Sequence, residues 1–435
     1  MGTQSTASST ALDQGAIDTI NPANCRYVGI FGDSRAYLSF TSGGLNFQLR
    51  NVGVAHWLQA YGLNAFTLLG DLNGGVSGDT TAGMLSRQPA FIALLKSRGC
   101  TRAVFVGSTN DRSAGIDLGT SKKNVREIVR NFFQAGIGVI AIGETPRGNG
   151  HSQYELGSAQ IKEDHYQMHL WFQNTLSKVC TVLNVWDAMV DPASGRNYYV
   201  KDGMTVDGIH MSKIGAQQVG IAGGARVAAE VRQLGDFLES NVRYHATNNP
   251  LGPLTANPLM TGSDGRFEFT PASGSQLASG WKAGANNVAG LTLTFSKETD
   301  GDGREWQKVH IRGQSGAQGP QILISTPITL SDLRDGDRIK ATGLVKSEGQ
   351  GLSNVGLAIL MTPAWAVKND AEDSHKEFPW PSAPTGVLSR ETPMYEHVGV
   401  KQTGLEPRID IGCSANASIN ATVWFARCGA FKFTY

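Results

Sequence analysis

The periodicity of this chain changes once, near residue 248, and that change constrains the fold more than any other feature. From residue 26 to about 235, strand-like and helix-like stretches alternate. RYVGIF (26–31), NAFTLL (64–69), RAVFVG (102–107), IGVIAIG (137–143) and TVLNVW (181–186) are short runs rich in β-branched and aromatic residues. Between them lie helical patterns at 47–62, 81–99, 121–136, 158–179 and 212–235, two of them stopped by Gly99 and Gly136. Such alternation predicts a parallel sheet with helices on both faces. IGVIAIG, apolar throughout, suits a strand buried on both sides. Beyond Asn248-Asn249-Pro250 only short β runs follow, at 266–270, 290–297, 306–313, 321–330, 338–348, 354–362, 407–413 and 421–435, with Gly, Asp, Asn and Ser between them. These predict an antiparallel β-sandwich of jelly-roll type. The expected organisation is a leader at 1–24, an α/β domain at 25–240 and a sandwich at 250–435, joined near NNPLGP.

The 435 residues suit two or three domains. Glycine, at 53 residues, is about 12% against roughly 7% on average, which favours many tight turns. A net charge of +1 carries no electrostatic footprint for nucleic acid or acidic membranes. The five cysteines, Cys25, Cys100, Cys180, Cys413 and Cys428, are widely spaced and form neither a disulfide framework nor a zinc pattern. Cys413 and Cys428 can meet on neighbouring strands, as buried thiols. No apolar run reaches the roughly 18 residues of a membrane helix. The first twenty residues lack the basic start and apolar core of a secretory signal, and read as a leader or the remnant of an attachment region.

In a parallel α/β sheet, ligands bind beyond the carboxyl ends of the strands. Four stretches fall there: Gly32-Asp33-Ser34 after the first strand, NGGVSGDTT (73–81) after the second, GSTND (107–111) after the third, and VDGIHMSKIG (206–215) before the last helix. Each alone is an ordinary turn. Together they supply what acyl transfer needs: a nucleophile, a base, a group that orients the base, and oxyanion donors. Ser34 is inert until a base takes its proton. His210 titrates near neutrality and can do so. Asp207 can hold the other ring nitrogen. The backbone N–H groups of Ser34 and Gly78 and the Asn110 side-chain amide can converge on an oxyanion.

These four stretches resemble, in order, the signature blocks of the SGNH (GDSL-type) hydrolases: Gly32-Asp33-Ser34, GVSGDTT with Gly78 as its glycine, Asn110-Asp111, and Asp207-Gly208-Ile209-His210. The resemblance covers about 26–235. It implies a flavodoxin-like three-layer α/β/α fold, catalysis by Ser34, His210 and Asp207, an oxyanion hole of Ser34, Gly78 and Asn110, and neither metal nor organic cofactor. The sequence departs from the blocks twice. Arg35 stands where leucine usually follows the serine. Ser108 stands where the third block has its glycine, with Gly107 one position early.

The remaining candidates are less specific. Arg147, at the same sheet edge, either contacts substrate or caps its loop. His165 and His169, four apart on a helix, are a metal pair or an ordinary helical face. Asp300, Asp302 and Glu305 form either a hairpin turn or a fragment of a calcium loop. Five tryptophans follow the linker, and Trp380, set between prolines in EFPWPSAP (377–384), is expected to be exposed and to stack on sugar or on another subunit. The layout is similar to carbohydrate esterases with an added sandwich, and to phage tail proteins that deacetylate surface polysaccharide. It implies a serine esterase for O-acetyl groups on a polysaccharide, extracellular or virion-borne, as a homo-oligomer (a trimer if a tail protein), with no nucleic-acid or membrane partner. The alternatives are a lipid or thioester hydrolase, and a structural or carbohydrate-binding protein on an inactive hydrolase fold.

Overall fold

A computed structural model describes residues 27–432 apart from 41–48, 64, 232–239, 251, 363–365, 370–379, 381–383, 393–394 and 398–402. The expected leader, Cys25 and Trp365 lie outside the described residues. The first half builds strands β1 (Tyr27–Gly32), β2 (Thr67–Gly75), β3 (Arg102–Val106), β4 (Gly138–Ile142) and β5 (Thr181–Leu183). They form one parallel sheet in the order β2-β1-β3-β4-β5. Helices α1 (Ser34–Tyr37), α2 (Val54–Tyr61), α3 (Thr81–Ser97), α4 (Thr109–Ser113), α5 (Leu118–Gln134), α6 (Ala159–Asn174), α7 (Trp186–Met189) and α8 (Lys213–Glu230) connect and follow them.

Because strand side chains alternate with a period of two, each strand feeds two cores. Val28, Ile30, Val104, Val106, Ile140 and Ile142 point to the face covered by α2 and α8. Phe31, Ala103, Phe105, Val139 and Ala141 point to the face covered by α3, α5 and α6. The result is the expected three-layer α/β/α fold. Helix α8 needs its glycines for packing: a Cβ at Gly220 would lie 2.7 Å from Trp57, and one at Gly223 would lie 2.2 Å from Leu183.

The second half builds β6 (Asp264–Phe267), β7 (Leu277–Asn286), β8 (Leu291–Thr299), β9 (Glu305–Gln314), β10 (Gln321–Ser325), β11 (Arg338–Gln350), β12 (Leu352–Thr362), β13 (Ala366–Asn369), β14 (Leu388–Glu391), β15 (Tyr395–Glu396), β16 (Gly404–Cys413) and β17 (Ser418–Lys432). They form two sheets, β13-β12-β16-β10-β7-β6 and β14-β11-β17-β9-β8, with β15 added to β11. The pairings are antiparallel except for β6 with β7. Cys413 and Cys428 are both buried. Among the described residues no helix is long and apolar enough to cross a membrane.

The sandwich is more than an appendage on a linker. Its core runs without a break into the α2/α8 side of the first domain. Trp57 of α2 packs against Trp380, with ring centroids 5.5 Å apart. Gln59 of α2 donates to Glu391, and Lys213 at the start of α8 donates from Nζ to the Ser353 carbonyl at 2.8 Å.

Candidate active site

The β2-β1-β3-β4-β5 order reverses direction between β1 and β3, and a doubly wound sheet opens a crevice at such a switch point. Ser34 follows β1 and Asn110 follows β3, so the topology places both at that crevice. Gly32 ends β1 as glycine because a Cβ there would lie 1.7 Å from the Val106 carbonyl oxygen. The Asp33 N–H donates to that same oxygen at 3.0 Å, and its carboxylate caps α1 by accepting from the Arg35 N–H at 2.9 Å. Ser34 is thus the first residue of a one-turn helix, raised at the sheet edge.

The loop before α8 brings the base to it. His210 Nε2 lies 2.9 Å from Ser34 Oγ, and His210 Nδ1 lies 2.6 Å from Asp207 Oδ2. Asp207 Oδ1 also accepts from the backbone N–H groups of His210, at 2.8 Å, and Ile209, at 3.1 Å. Partial burial alone would raise the Asp207 pKa, but the hydrogen bonds from His210 and Ile209 outweigh it and hold the carboxyl below its usual range. Tyr154 meets His210 edge to face at 5.6 Å and Ser152 bonds the Asp207 carbonyl, so the loop at 152–154 braces the base.

Gly78 adopts φ +76° in the turn after β2, and its α-carbon faces open space. Asn110 Nδ2 donates to the Asp79 carbonyl at 3.0 Å, which ties the third block to the second. An amide nitrogen carries two hydrogens, so one remains for a substrate oxygen. Asp111 serves the fold: it accepts from the Thr81 N–H at 2.8 Å and the Thr81 hydroxyl at 2.7 Å, fixing the start of α3. Asn110→Ala is expected to lower kcat about a hundredfold with KM little changed, since an oxyanion donor acts mainly in the transition state. Steady-state kinetics on a small acetate ester checks this, and a change confined to KM would place Asn110 in ground-state binding.

Two expected substrate contacts do not hold. Arg147 is buried, and its guanidinium donates to the Tyr154 carbonyl (2.8 Å), the Thr109 carbonyl (2.9 Å) and the Ser113 hydroxyl (2.7 Å). It braces α4 against the loop beyond β4. Trp380 is 2% exposed, and its indole N–H donates to Ser347 Oγ at 2.8 Å inside the domain interface. The proline-flanked stretch reads as an exposed loop, but the Trp380 ring is buried.

The histidine pair is internal. His165 Nε2 bonds the Thr145 carbonyl at 2.8 Å, and His169 stacks on Trp186 at 4.5 Å. Burial pushes their pKa values down, to about 3 and about 4. Both fold as neutral rings, whereas in the unfolded chain they titrate near 6.5. The unfolded state therefore binds more protons below that value, and stability falls as pH drops from 6.5 toward 4. His169→Phe keeps the stack and is expected to flatten this slope, read by denaturant titration at pH 7 and pH 5. Asp300 closes the β8–β9 hairpin, accepting from the backbone of Asp302 and Arg304 and from the Trp306 indole, while Glu305 faces Lys297.

Sequence reasoning did not find the buried charges beneath the nucleophile. Arg35 forks onto Asp33, with Nε to Oδ1 at 3.1 Å and Nη2 to Oδ2 at 2.7 Å, and its Nη1 reaches Thr145 Oγ1 at 3.2 Å. Glu144, just past β4, lies 3.6 Å from Arg35 Nη1 and accepts from Ser108 Oγ. Burial pushes the Glu144 carboxyl up to about 7 against the opposing pull of Arg35 and Ser108. Only the unusual residues Arg35 and Ser108, read as departures, pointed toward this cluster.

A Ser–His–Asp relay at the switch point of a flavodoxin-order sheet is the apparatus of a serine hydrolase. Neither a known family profile nor a curated protein matches the sequence. Solved structures do. The chain is similar to a GDSL-like lipase from Bacteroides thetaiotaomicron, with 15% identity over 51% of this chain and 93% of the other, at a TM-score of 0.35. It is similar to an acetyl xylan esterase, with 17% identity over 45% and 96% and a TM-score of 0.34. It is also similar to TesA, with 20% identity over 45% and 94% and a TM-score of 0.33. Each likeness spans about half of this chain, and the catalytic assignment stands on the geometry of Ser34, His210 and Asp207.

Proposed function

We propose that the chain is a serine ester hydrolase of SGNH type whose substrate is an O-acylated, in the first place O-acetylated, polysaccharide. The observation that carries the activity is the Ser34–His210–Asp207 relay at 2.9 and 2.6 Å. Ser34 Oγ attacks the ester carbonyl carbon as its proton passes to His210 Nε2, while Asp207 holds Nδ1–H and stabilises the imidazolium. The backbone N–H groups of Ser34 and Gly78 and the Asn110 amide take the oxyanion. His210 returns its proton to the departing sugar oxygen, leaving an acyl-serine. Water, deprotonated by His210, attacks this ester, and the carboxylic acid leaves as the serine hydroxyl is restored.

The surroundings of the relay support a short acyl group on a bulky hydrated alcohol. Gly78 and the stretch 149–151 are exposed, and Asn110, Tyr154 and His210 are partly so. A polar, open edge suits a polymer better than a long acyl chain, which gains most from enclosed apolar surface. Such a substrate goes with a place outside the cell or on a virion, and with a homo-oligomer, a trimer in the tail-protein case. Light scattering on the purified chain measures that state. Turnover of p-nitrophenyl acetate should exceed that of the octanoate, and acetate should be released from acetylated polysaccharide but not by Ser34→Ala. Preference for octanoate would favour the lipid or thioester hydrolase. Folded protein without turnover of any ester would favour the binding protein.

A further inference from the structure

Ser108 is a serine in a glycine's conformation. Its φ of +88° and ψ of −16° lie in the left-handed region, which is unfavourable for a residue with a Cβ. It is the residue before α4, so its backbone sets the direction in which Asn110 leaves β3. Its hydroxyl donates to Glu144 Oε1. Glu144 is 1% exposed, and its other oxygen faces Arg35 Nη1 at 3.6 Å. Arg35 in turn grips Asp33, the cap of the helix that begins with Ser34. One buried carboxylate therefore joins the turn that carries the nucleophile to the turn that carries the oxyanion amide.

We propose that Glu144 is a positioning residue for the hydrolysis: through Ser108 it holds the left-handed turn that aims Asn110, and through Arg35 and Asp33 it keeps that turn in register with Ser34. The inference rests on the ester-hydrolase reading. A carboxylate is suited to the task because it accepts from a hydroxyl and faces a guanidinium at once. Ser108 and Arg35, the two departures from the family blocks, then form one linked pair with Glu144 between them. Catalytic donors must be held to a fraction of an ångström, and a misplacement of about 1 Å can cost about a hundredfold in rate.

The test is kinetic and uses rescue. Wild type and Ser34→Ala first establish turnover of p-nitrophenyl acetate, so failure of the hydrolase reading shows at that step. Glu144→Ala is then expected to lower kcat about tenfold or more, within the range of a misaimed oxyanion donor, with KM within about twofold. Adding Ser108→Gly to Glu144→Ala is expected to recover about fivefold or more in kcat, because glycine takes φ +88° unaided. Ser108→Ala against Ser108→Gly gives the same test with the carboxylate in place. Both lose the hydroxyl, but the glycine variant should be at least about fivefold faster, since only alanine has a Cβ to strain. This pair decides the matter if Glu144→Ala does not fold. Equal kcat in the two Ser108 variants would overturn the proposal. So would wild-type kcat in Glu144→Ala, or a loss that Ser108→Gly leaves unrepaired at matched melting temperature.

Discussion

Replacing Ser34 with alanine removes ester hydrolysis while the melting temperature stays that of the wild type. The hydroxyl's hydrogen bond is with His210 Nε2 at 2.9 Å, and the fold draws on Ser34 through its backbone, where the Leu38 N–H donates to its carbonyl at 2.8 Å. Alanine keeps that bond and the cap from Asp33. What it loses is the atom that attacks. In other serine hydrolases the loss of nucleophile or base costs about a millionfold in kcat, and the loss of the orienting aspartate about ten-thousandfold. His210→Ala is expected to match Ser34→Ala. Asp207→Asn is expected to be milder but still severe. Its side-chain oxygen can go on accepting from the backbone of Ile209 and His210, but its NH2 then faces Nδ1 and favours the wrong tautomer of the base. Kinetics on p-nitrophenyl acetate, beside melting curves, checks all three. Residual turnover in Ser34→Ala well above the background rate would move the nucleophile elsewhere.

The relay was legible because its parts sit in two short continuous blocks, Ser34 at the end of β1 and Asp207 with His210 just before α8. Strand ends are marked in sequence by glycine and small polar residues, and β1, β3 and β4 fall within a residue or so of the ranges expected. What was not legible depends on partners far along the chain. Arg147 and Trp380 are residue types that often meet ligands, yet their partners here are Thr109, Ser113 and Tyr154 for the first and Ser347 for the second. Strand β14, LSRE, was not among the expected β runs, and it is buried because Glu391 meets Gln59 across 332 residues and Arg390 meets His56 across 334. Strand β7, LASGWKAGAN, has little intrinsic β preference. Pairing with β6 and β10 makes it a strand, a tertiary contact overriding local propensity. The glycine missing from the third block pointed to an altered backbone. In the structure the left-handed conformation is present, and a buried carboxylate anchors the serine that adopts it.

A chain ended near residue 240 is expected to lose small-ester activity as well as any hold on a polymer. Every group of the relay precedes residue 211, so the chemistry itself needs nothing from the sandwich. The fold does. Trp57 and Lys213 are both 0% exposed in the whole chain. Truncation would remove Trp380 from the face of Trp57, and take away the Ser353 carbonyl that accepts from Lys213 Nζ, three residues after His210. It would also remove Ser389, which donates to the Gln59 and Ala60 carbonyls, and Glu391, which accepts from Gln59. Uncovering a large apolar side chain costs about 1.5–3 kcal/mol, and several are uncovered at once. A domain's whole stability is only about 5–15 kcal/mol. The expected product is therefore aggregated or without a cooperative melt, and inactive on p-nitrophenyl acetate. Trp380→Ala in the full chain is the graded version. A buried tryptophan lost to alanine costs about 3–5 kcal/mol, so the melting temperature should fall by about ten degrees, with KM for polysaccharide unchanged. A rise in that KM at constant melting temperature would return Trp380 to the sugar-binding role. A soluble truncation that melts cooperatively and keeps wild-type kcat would show that the hydrolase half stands alone.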